Sequence, residues 1–204
     1  MSAESLLYET FDQTTPHTTV GPYTAEDYLS LPEGERVELI RGRLVMMSPA
    51  PRARHQFIGV KLAVVLDAIA TEHRGIALAS PIDVQLDEKT VLQPDVVYVR
   101  HDKVNLIQDR IHGAPDLLVE ILSPSTASRD RVTKLELYAK AGVREYWIVD
   151  PDSHVIEFHT LDGASYRVTA KDSGEYQSPQ FEEVKLDLTT FWEEVERRWP
   201  TESE

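Results

Sequence analysis

Two acidic residues stand in apolar segments, where a carboxylate is costly without a partner. Asp95 follows Pro94 at the start of an apolar segment that ends at residue 99, and Glu120 interrupts the apolar run 116–122. A buried carboxylate costs free energy unless it is paired, hydrogen-bonded or bound to a metal ion. If the two segments are neighbouring strands, both carboxylates can reach one Mg²⁺ or Mn²⁺ ion, with water and phosphate oxygens as the other ligands. On the residues alone, Glu120 equally fits a loop edge or the partner of an arginine.

Three further residues have side chains that could assist such a site. Lys134 lies one turn inside the helix expected after the Glu120 segment, where its ammonium group can orient water or neutralise phosphate charge. An exposed lysine is the commoner case on a helix. His55 begins the apolar stripe of an earlier helix and fits a proton shuttle, a phosphate contact or a half-buried cap. Glu38, between Val37 and Leu39, also fits an outward-facing strand carboxylate.

Other site chemistries lack their motifs. The chain has no cysteine, which excludes a disulfide framework, a thiolate metal site and a cysteine nucleophile. It has no HExxH, GxGxxG, Walker A or GxSxG sequence. The N-terminus has no basic segment followed by an apolar run, and no stretch approaches eighteen consecutive apolar residues. We therefore expect a cytoplasmic protein with no membrane partner.

The net charge of −14 is unusual for a nucleic-acid-binding protein, but the acids are concentrated at the two ends. Residues 1–35 carry seven acids and no Lys or Arg, and residues 172–204 carry ten acids against three bases. The middle of the chain is neutral, and residues 41–66 contain five bases and no acid. Such a cluster fits either a solvated face or a polyanion-binding surface with which the acidic ends compete.

The elements that would position these residues follow from periodicity and turn residues. Thr24 to Asp27 resembles a capping box that opens a short helix. Apolar spacing predicts a helix from about His55 to His73, ended by Gly75, and another from about 129 to 141. A final amphipathic helix is expected over 188–199. Apolar runs bounded by turns predict strands at 37–40, 44–47, 76–79, 83–86, 95–99, 116–122, 145–150, 155–160 and 166–169.

This order of elements predicts an α/β (α+β) fold, in which helices flank a mixed central β-sheet. The helix after the Glu120 segment should carry Arg131, Lys134 and Tyr138 on one stripe. Residues 1–20 have little apolar periodicity and are expected to form a flexible N-terminal arm. Residues 21–204 then form a single domain with an acidic C-terminal segment from about residue 172.

Together the motifs resemble a known family. They are QPDVV at 93–97, PDLLVEILSPST at 115–126, the spaced residues Asp130, Lys134 and Tyr138, and GVREYWIVDP at 142–151. A large bacterial family, once catalogued as a domain of unknown function and now described as "putative restriction endonucleases", is similar in these motifs. It is placed in the PD-(D/E)XK nuclease superfamily. The hairpin around Glu38 and the residue His55 also match, and the resemblance covers residues 23 to 160.

The resemblance implies a role for each matching residue. Asp95 and Glu120 would bind Mg²⁺ or Mn²⁺, with the carbonyl of Ile121 as a further ligand. The superfamily has Lys two positions after the second acid, where this chain has Leu122. The family is thought to carry that lysine on the following helix, which implies Lys134. Glu38 would support the metal or water, and His55 would assist catalysis.

We therefore expect a restriction-endonuclease-like enzyme that hydrolyses phosphodiester bonds of DNA. Bases and one tyrosine would contact the substrate backbone without reading sequence; they are Arg41, Arg52, Arg54, Arg131 and Tyr138. Analogy with the superfamily suggests a homodimer. Two alternatives stay open: an inactive nuclease-fold module that binds DNA or protein, and a metal-dependent phosphoesterase for small substrates.

Overall fold

The computed structural model describes residues 8–9, 20–32, 34–47, 52–123 and 127–199. The helices in these ranges differ greatly in length. The α-helices of these residues are α1 (Ala25–Leu29), α2 (Ala53–His73), α3 (Leu135–Ala141) and α4 (Leu188–Arg198). A 3₁₀ helix at His101–Leu106 and a π-helix at Arg129–Lys134 complete the helical segments. None of them combines the length and the apolar character that crossing a membrane requires.

Within the described residues, the strands form two six-stranded mixed sheets and one small hairpin sheet. In chain order they are β1 (Tyr8–Glu9), β2 (Val37–Ile40), β3 (Arg43–Met46), β4 (Ile76–Ala79), β5 (Val84–Asp87), β6 (Thr90–Leu92), β7 (Val96–Val99), β8 (Ile111–His112), β9 (Leu117–Ile121), β10 (Glu145–Asp150), β11 (Val155–Asp162), β12 (Ser165–Lys171), β13 (Glu175–Gln177) and β14 (Lys185–Asp187). The first sheet has the order β1-β3-β2-β6-β5-β8 and the second β12-β11-β10-β9-β7-β4. The third pairs β13 with β14.

The second sheet is the centre of the fold, and β9 lies inside it. β9 pairs in parallel with β10 and antiparallel with β7, and all five of its residues are buried. On one face Val119 packs with apolar side chains of α2 and α4. On the other face Leu118 packs with the first sheet and with α3. The expected mixed central sheet flanked by helices is confirmed.

Local sequence explains the first elements. Thr24 accepts a hydrogen bond from the Asp27 N–H, and the Asp27 carboxylate accepts one from the Thr24 N–H, so the predicted capping box of α1 is present. In the hairpin of β2 and β3, Arg41 and Gly42 both have positive φ, 50° and 76°. Two such residues make the turn that fits the twist of a two-residue hairpin.

The end of α2 differs from the prediction. Arg74, at φ 60°, takes the left-handed cap position, one residue before the Gly75 expected there. Gly75 donates its N–H to the Ala70 carbonyl, and a Cβ on it would lie 2.6 Å from the Val99 carbonyl oxygen. The glycine is needed because the chain passes close to β7, and not because of its φ.

Several boundaries also shift. The helix α2 begins at Ala53, two residues before His55, and the strand β7 begins at Val96, one residue after Asp95. The helix expected over 129–141 is a π-helix up to Lys134, so Arg131 is exposed and leaves the predicted stripe. Sequence patterns missed β1, β6, β8 and the β13–β14 hairpin, because two or three residues are too few for a periodic signal.

Some predictions concern residues outside the described ranges. Most of the arm at 1–20 lies outside the described residues. Within that arm, Tyr8–Glu9 pairs in parallel with β3. The flexible arm and the single domain over 21–204 stay predictions.

Candidate active site

Asp95 and Glu120 meet where β7 begins and β9 ends. Val96 pairs with Val119 in the antiparallel register of these strands, so Asp95 lies beside Glu120 one step further along. The backbone N–H of Asp95 donates to the Val119 carbonyl at 3.1 Å. Oδ2 of Asp95 accepts the backbone N–H of Ile121 at 2.7 Å. The predicted adjacency of the two carboxylates is therefore present.

Glu120 is buried, and both of its hydrogen bonds fall on one carboxylate oxygen. Oε1 accepts from Nζ of Lys134 at 2.7 Å and from the hydroxyl of Tyr138 at 3.1 Å. The side chain of Glu120 is 6% exposed, while Asp95 keeps a fifth of its side chain exposed. Among the described residues, Oε2 of Glu120 receives no hydrogen bond, so it is the oxygen available to a ligand.

Lys134 joins the Glu120 carboxylate to that of Glu38. Its Nζ lies 2.9 Å from Oε1 of Glu38 and 3.6 Å from Oδ1 of Asp130. Glu38 is 1% exposed and also accepts the backbone N–H of Gln93, so it is not an outward-facing strand residue. Its other oxygen, Oε2, contacts Nη1 of Arg129 at 3.0 Å. The lysine is a buried bridge between two strands.

The electrostatics of the cluster differ from one group to the next. Burial raises the pKa of Glu120 well above its ordinary value; Lys134 opposes the shift, and nearby Asp130, Asp95 and Glu38 add to it. Burial also opposes the charge of Lys134, but Glu120 and Glu38 raise its pKa well above the ordinary value. For Glu38, Lys134 and Arg129 outweigh burial and lower the pKa.

His55 reaches the same place from the first turn of α2. Its Nε2 lies 3.1 Å from Oδ1 of Asp95. Together with the Ile121 N–H on Oδ2, this contact restrains both oxygens of the Asp95 carboxylate. His55 therefore positions the more exposed of the two acids.

The donor set suits a hard divalent cation. The cluster holds four acids against two cations. Glu38, Glu120 and Asp130 lie within 3.6 Å of Nζ of Lys134, Arg129 pairs with Glu38, and Asp95 lies opposite Glu120. A divalent cation would relieve that excess of negative charge, and Mg²⁺ needs only one or two protein carboxylates because water fills its other positions. Within the described ranges no group of three or more His, Cys, Asp or Glu side chains is arranged to hold a metal ion. The arrangement of side chains thus fits a site in which two carboxylates hold the metal ion.

The predicted substrate-binding residues have very different surroundings. Tyr138 is fully buried on Glu120, while Arg52 is exposed just before α2 begins. The other three bases form ion pairs with acids far along the chain. These pairs are Arg41 with Glu136 at 2.7 Å, Arg54 with Glu196 at 2.5 Å, and Arg131 with Glu157 at 2.7 Å.

Sequence reasoning missed Arg129 and Asp130 as parts of the cluster. Both are buried in the π-helix, and Tyr146 donates its hydroxyl to the Asp130 carbonyl at 3.2 Å. Asp130 stood among the motif residues without a role in the site, and for Arg129 the only signal was a run of charged residues just before Lys134, which is also typical of an exposed helix start.

Comparison with protein families shows to which family the chain belongs. The model of the Uma2 family, described as "Putative restriction endonuclease", matches residues 25–190. The chain belongs to this family. The predicted resemblance is confirmed, and the matched range contains Glu38, His55, Asp95, Glu120 and Lys134. Membership in this family supports a nuclease function. No curated protein matches the chain.

A solved structure shares the fold. It is described as a "putative nuclease belonging to DUF820" from Anabaena variabilis and superposes with a TM-score of 0.71. The two chains are 20% identical, and the alignment covers 85% of this chain and 99% of the other. At this identity the likeness establishes a common fold, which is the nuclease-type fold expected from the sequence.

Proposed function

We propose that the protein is a Mg²⁺- or Mn²⁺-dependent nuclease that hydrolyses phosphodiester bonds of DNA. The observation that carries the proposal is the meeting of Asp95, Glu120 and Lys134 at the adjoining ends of β7 and β9. Family membership supports the same class of reaction.

Each residue has a defined task in this proposal. Asp95, Glu120 and the Ile121 carbonyl would hold the cation, which when bound lowers the pKa of a water molecule and offsets charge on the phosphate. Lys134 keeps an ammonium group beside Glu120, where it can orient water or stabilise the phosphate. His55 orients Asp95, and the Tyr138 hydroxyl orients Glu120.

The DNA backbone is expected to approach from the N-terminal end of α2. Arg52 is exposed there, three residues before His55, and would contact phosphate without reading bases. Arg41, Arg54 and Arg131 would contribute once their acidic partners exchange for phosphate. A cytoplasmic location and a homodimer stay predictions.

The decisive experiment compares cleavage by the wild type and by near-isosteric variants. Supercoiled plasmid and circular single-stranded DNA are incubated with Mg²⁺ or Mn²⁺, beside Asp95→Asn and Glu120→Gln. Each variant should lose about 100-fold or more in rate, the scale on which one pre-positioned electrostatic group acts. Asp67→Asn, which removes an exposed acid of α2, is the matched control and should cleave like wild type.

Two further measurements separate the alternatives. Mn²⁺ binding followed by calorimetry should weaken in Asp95→Asn and Glu120→Gln but not in the control. Undiminished cleavage by both site variants would contradict the proposed site. A wild type that binds DNA but never cleaves it would favour the binding module, and hydrolysis confined to small diesters would favour the phosphoesterase.

A further inference from the structure

A π-helix precedes α3 and holds four buried polar residues. Arg129, Asp130, Thr133 and Lys134 are each at most 9% exposed, although the segment is only six residues long. A short π-helical segment is uncommon and is often found at functional sites. Its role here follows from the side chains that it directs to one point.

The wide turn brings Arg129 and Lys134 to the same carboxylate. Residues five apart lie about 140° apart around an α-helix, so their side chains leave the helix in different directions. In a π-helix the hydrogen bond joins residues five apart, so they lie nearly above one another. Nη1 of Arg129 contacts Oε2 of Glu38 at 3.0 Å, and Nζ of Lys134 contacts Oε1 at 2.9 Å.

Two cationic groups, those of Arg129 and Lys134, therefore contact the charged carboxylate of Glu38. Glu38 lies 1% exposed, where an unbalanced carboxylate would draw the nearest cation strongly. Arg129 satisfies one of its oxygens, and the Gln93 N–H contributes at the other at 3.0 Å. Lys134 is thereby free to place its shortest contact, 2.7 Å, on Glu120.

We propose that Arg129 is a positioning residue, which balances the charge of Glu38 so that the Lys134 ammonium is directed to Glu120 and the substrate phosphate. The inference rests on the proposed nuclease function for its effect on rate. The geometric part, the dependence of Lys134 on Arg129, is independent of that function.

The first test is a kinetic comparison of Arg129→Met with wild type and with Arg129→Lys. Arg129→Met should lower kcat by about 10- to 100-fold, as loss of an outer partner does at metal sites, with KM for plasmid within about twofold. Arg129→Lys should restore most of kcat because it restores the cation. Arg167→Met removes an exposed cation of β12 and serves as the control of equal charge.

A double variant distinguishes positioning from general damage. Arg129→Met with Glu38→Gln removes both members of the ion pair, so no unbalanced carboxylate competes for Lys134. The double variant should retain more kcat than Arg129→Met alone, and it keeps the test usable if Arg129→Met does not fold. A loss equal to the product of the two single losses would mean independent effects and would overturn the proposal.

The second test does not depend on activity. The ¹⁵Nζ resonance of Lys134, assigned with Lys134→Arg, should shift in Arg129→Met and stay near its wild-type position in Arg129→Lys. An unchanged resonance, or an unchanged kcat in a folded Arg129→Met, would overturn the proposal. If the wild type does not cleave DNA, the proposed nuclease function fails, while this resonance still decides whether Arg129 positions Lys134.

Discussion

At the scale of the residue, the site depends on a lysine that carries its charge in the interior. Lys134 is 4% exposed and touches the carboxylates of Glu38 and Glu120. Removing one partner of a buried ionic group leaves the other charge uncompensated, and this costs more than the pair itself contributes. In the proposed function, the cluster therefore links catalysis and stability.

Replacing the lysine should be destabilising as well as inactivating. Lys134→Met leaves Glu38 and Glu120 buried without their shared cation, and we expect a loss of about 3–5 kcal/mol in the free energy of unfolding. Urea denaturation measures it, with Lys171→Met as the control on β12. Adding Glu120→Gln should recover part of the loss; a double variant as unstable as the sum of both single variants would contradict this account.

A buried histidine should make stability depend on pH. Burial lowers the pKa of His159 below its ordinary value of 6.5, against the opposing effect of Glu157 at 3.2 Å. Below that pH the unfolded chain binds more protons than the folded chain, so the free energy of unfolding falls as pH falls. His159→Gln removes this contribution.

The measurement is urea denaturation of wild type and His159→Gln between about pH 7.5 and 5. The variant should gain stability relative to wild type as pH falls. His73→Gln, at the exposed end of α2, is the control for loss of an imidazole. A difference between His159→Gln and wild type that stays constant with pH would argue against the assigned role of burial.

At the scale of the element, periodicity predicted the long helices and buried strands, but local irregularities escaped it. Apolar spacing placed α2 and β9 almost correctly, because one face of each must be buried. The π-helix before α3 has the same composition as an α-helix start, and only its contacts with β2 and β9 select the wider turn.

At the C-terminal end of α2, substitutions at two adjacent residues should change the stability of the protein in opposite directions. Gly75→Ala should destabilise the protein by about 1–3 kcal/mol, because the new Cβ would meet the Val99 carbonyl. Arg74→Gly should stabilise it by up to about 1 kcal/mol, since Arg74 has φ 60°. Thermal unfolding of both variants measures these changes. Equal changes in stability would show that the left-handed conformation at Arg74 and the close approach to β7 at Gly75 are not separate constraints.

At the scale of the whole molecule, the acidic C-terminal helix α4 lies on the N-terminal half of α2, which begins at the site and carries Arg54 and Lys61. Lys61 of α2 pairs with Glu194 at 2.6 Å, and Arg54 with Glu196 at 2.5 Å. Phe191 and Trp192 anchor α4 in the core, so its acids are held in place. The two cations in the N-terminal half of α2 are thus neutralised by acids of α4.

Neutralising these acids should strengthen DNA binding. Glu194→Gln with Glu196→Gln frees two cations, and we expect affinity to rise by about fivefold at low salt, the scale of one exposed ion pair. The gain should vanish at high salt. Fluorescence anisotropy with a DNA duplex measures it, and Glu193→Gln with Glu182→Gln is the control for two exposed acids. An equal gain in the control would indicate only a net-charge effect.

The sequence by itself determined the longer helices and strands, the family and the acids out of place in apolar strands, because periodicity, caps and motifs are local properties. The tertiary structure alone decided that Lys134 is a buried bridge between Glu38 and Glu120, and that Arg129 joins them. It also decided which basic residues are neutralised, since Arg54 and Glu196 are 142 positions apart. Such pairings depend on which surfaces the packed sheets and helices bring together, and the spacing of residues along the chain does not predict them.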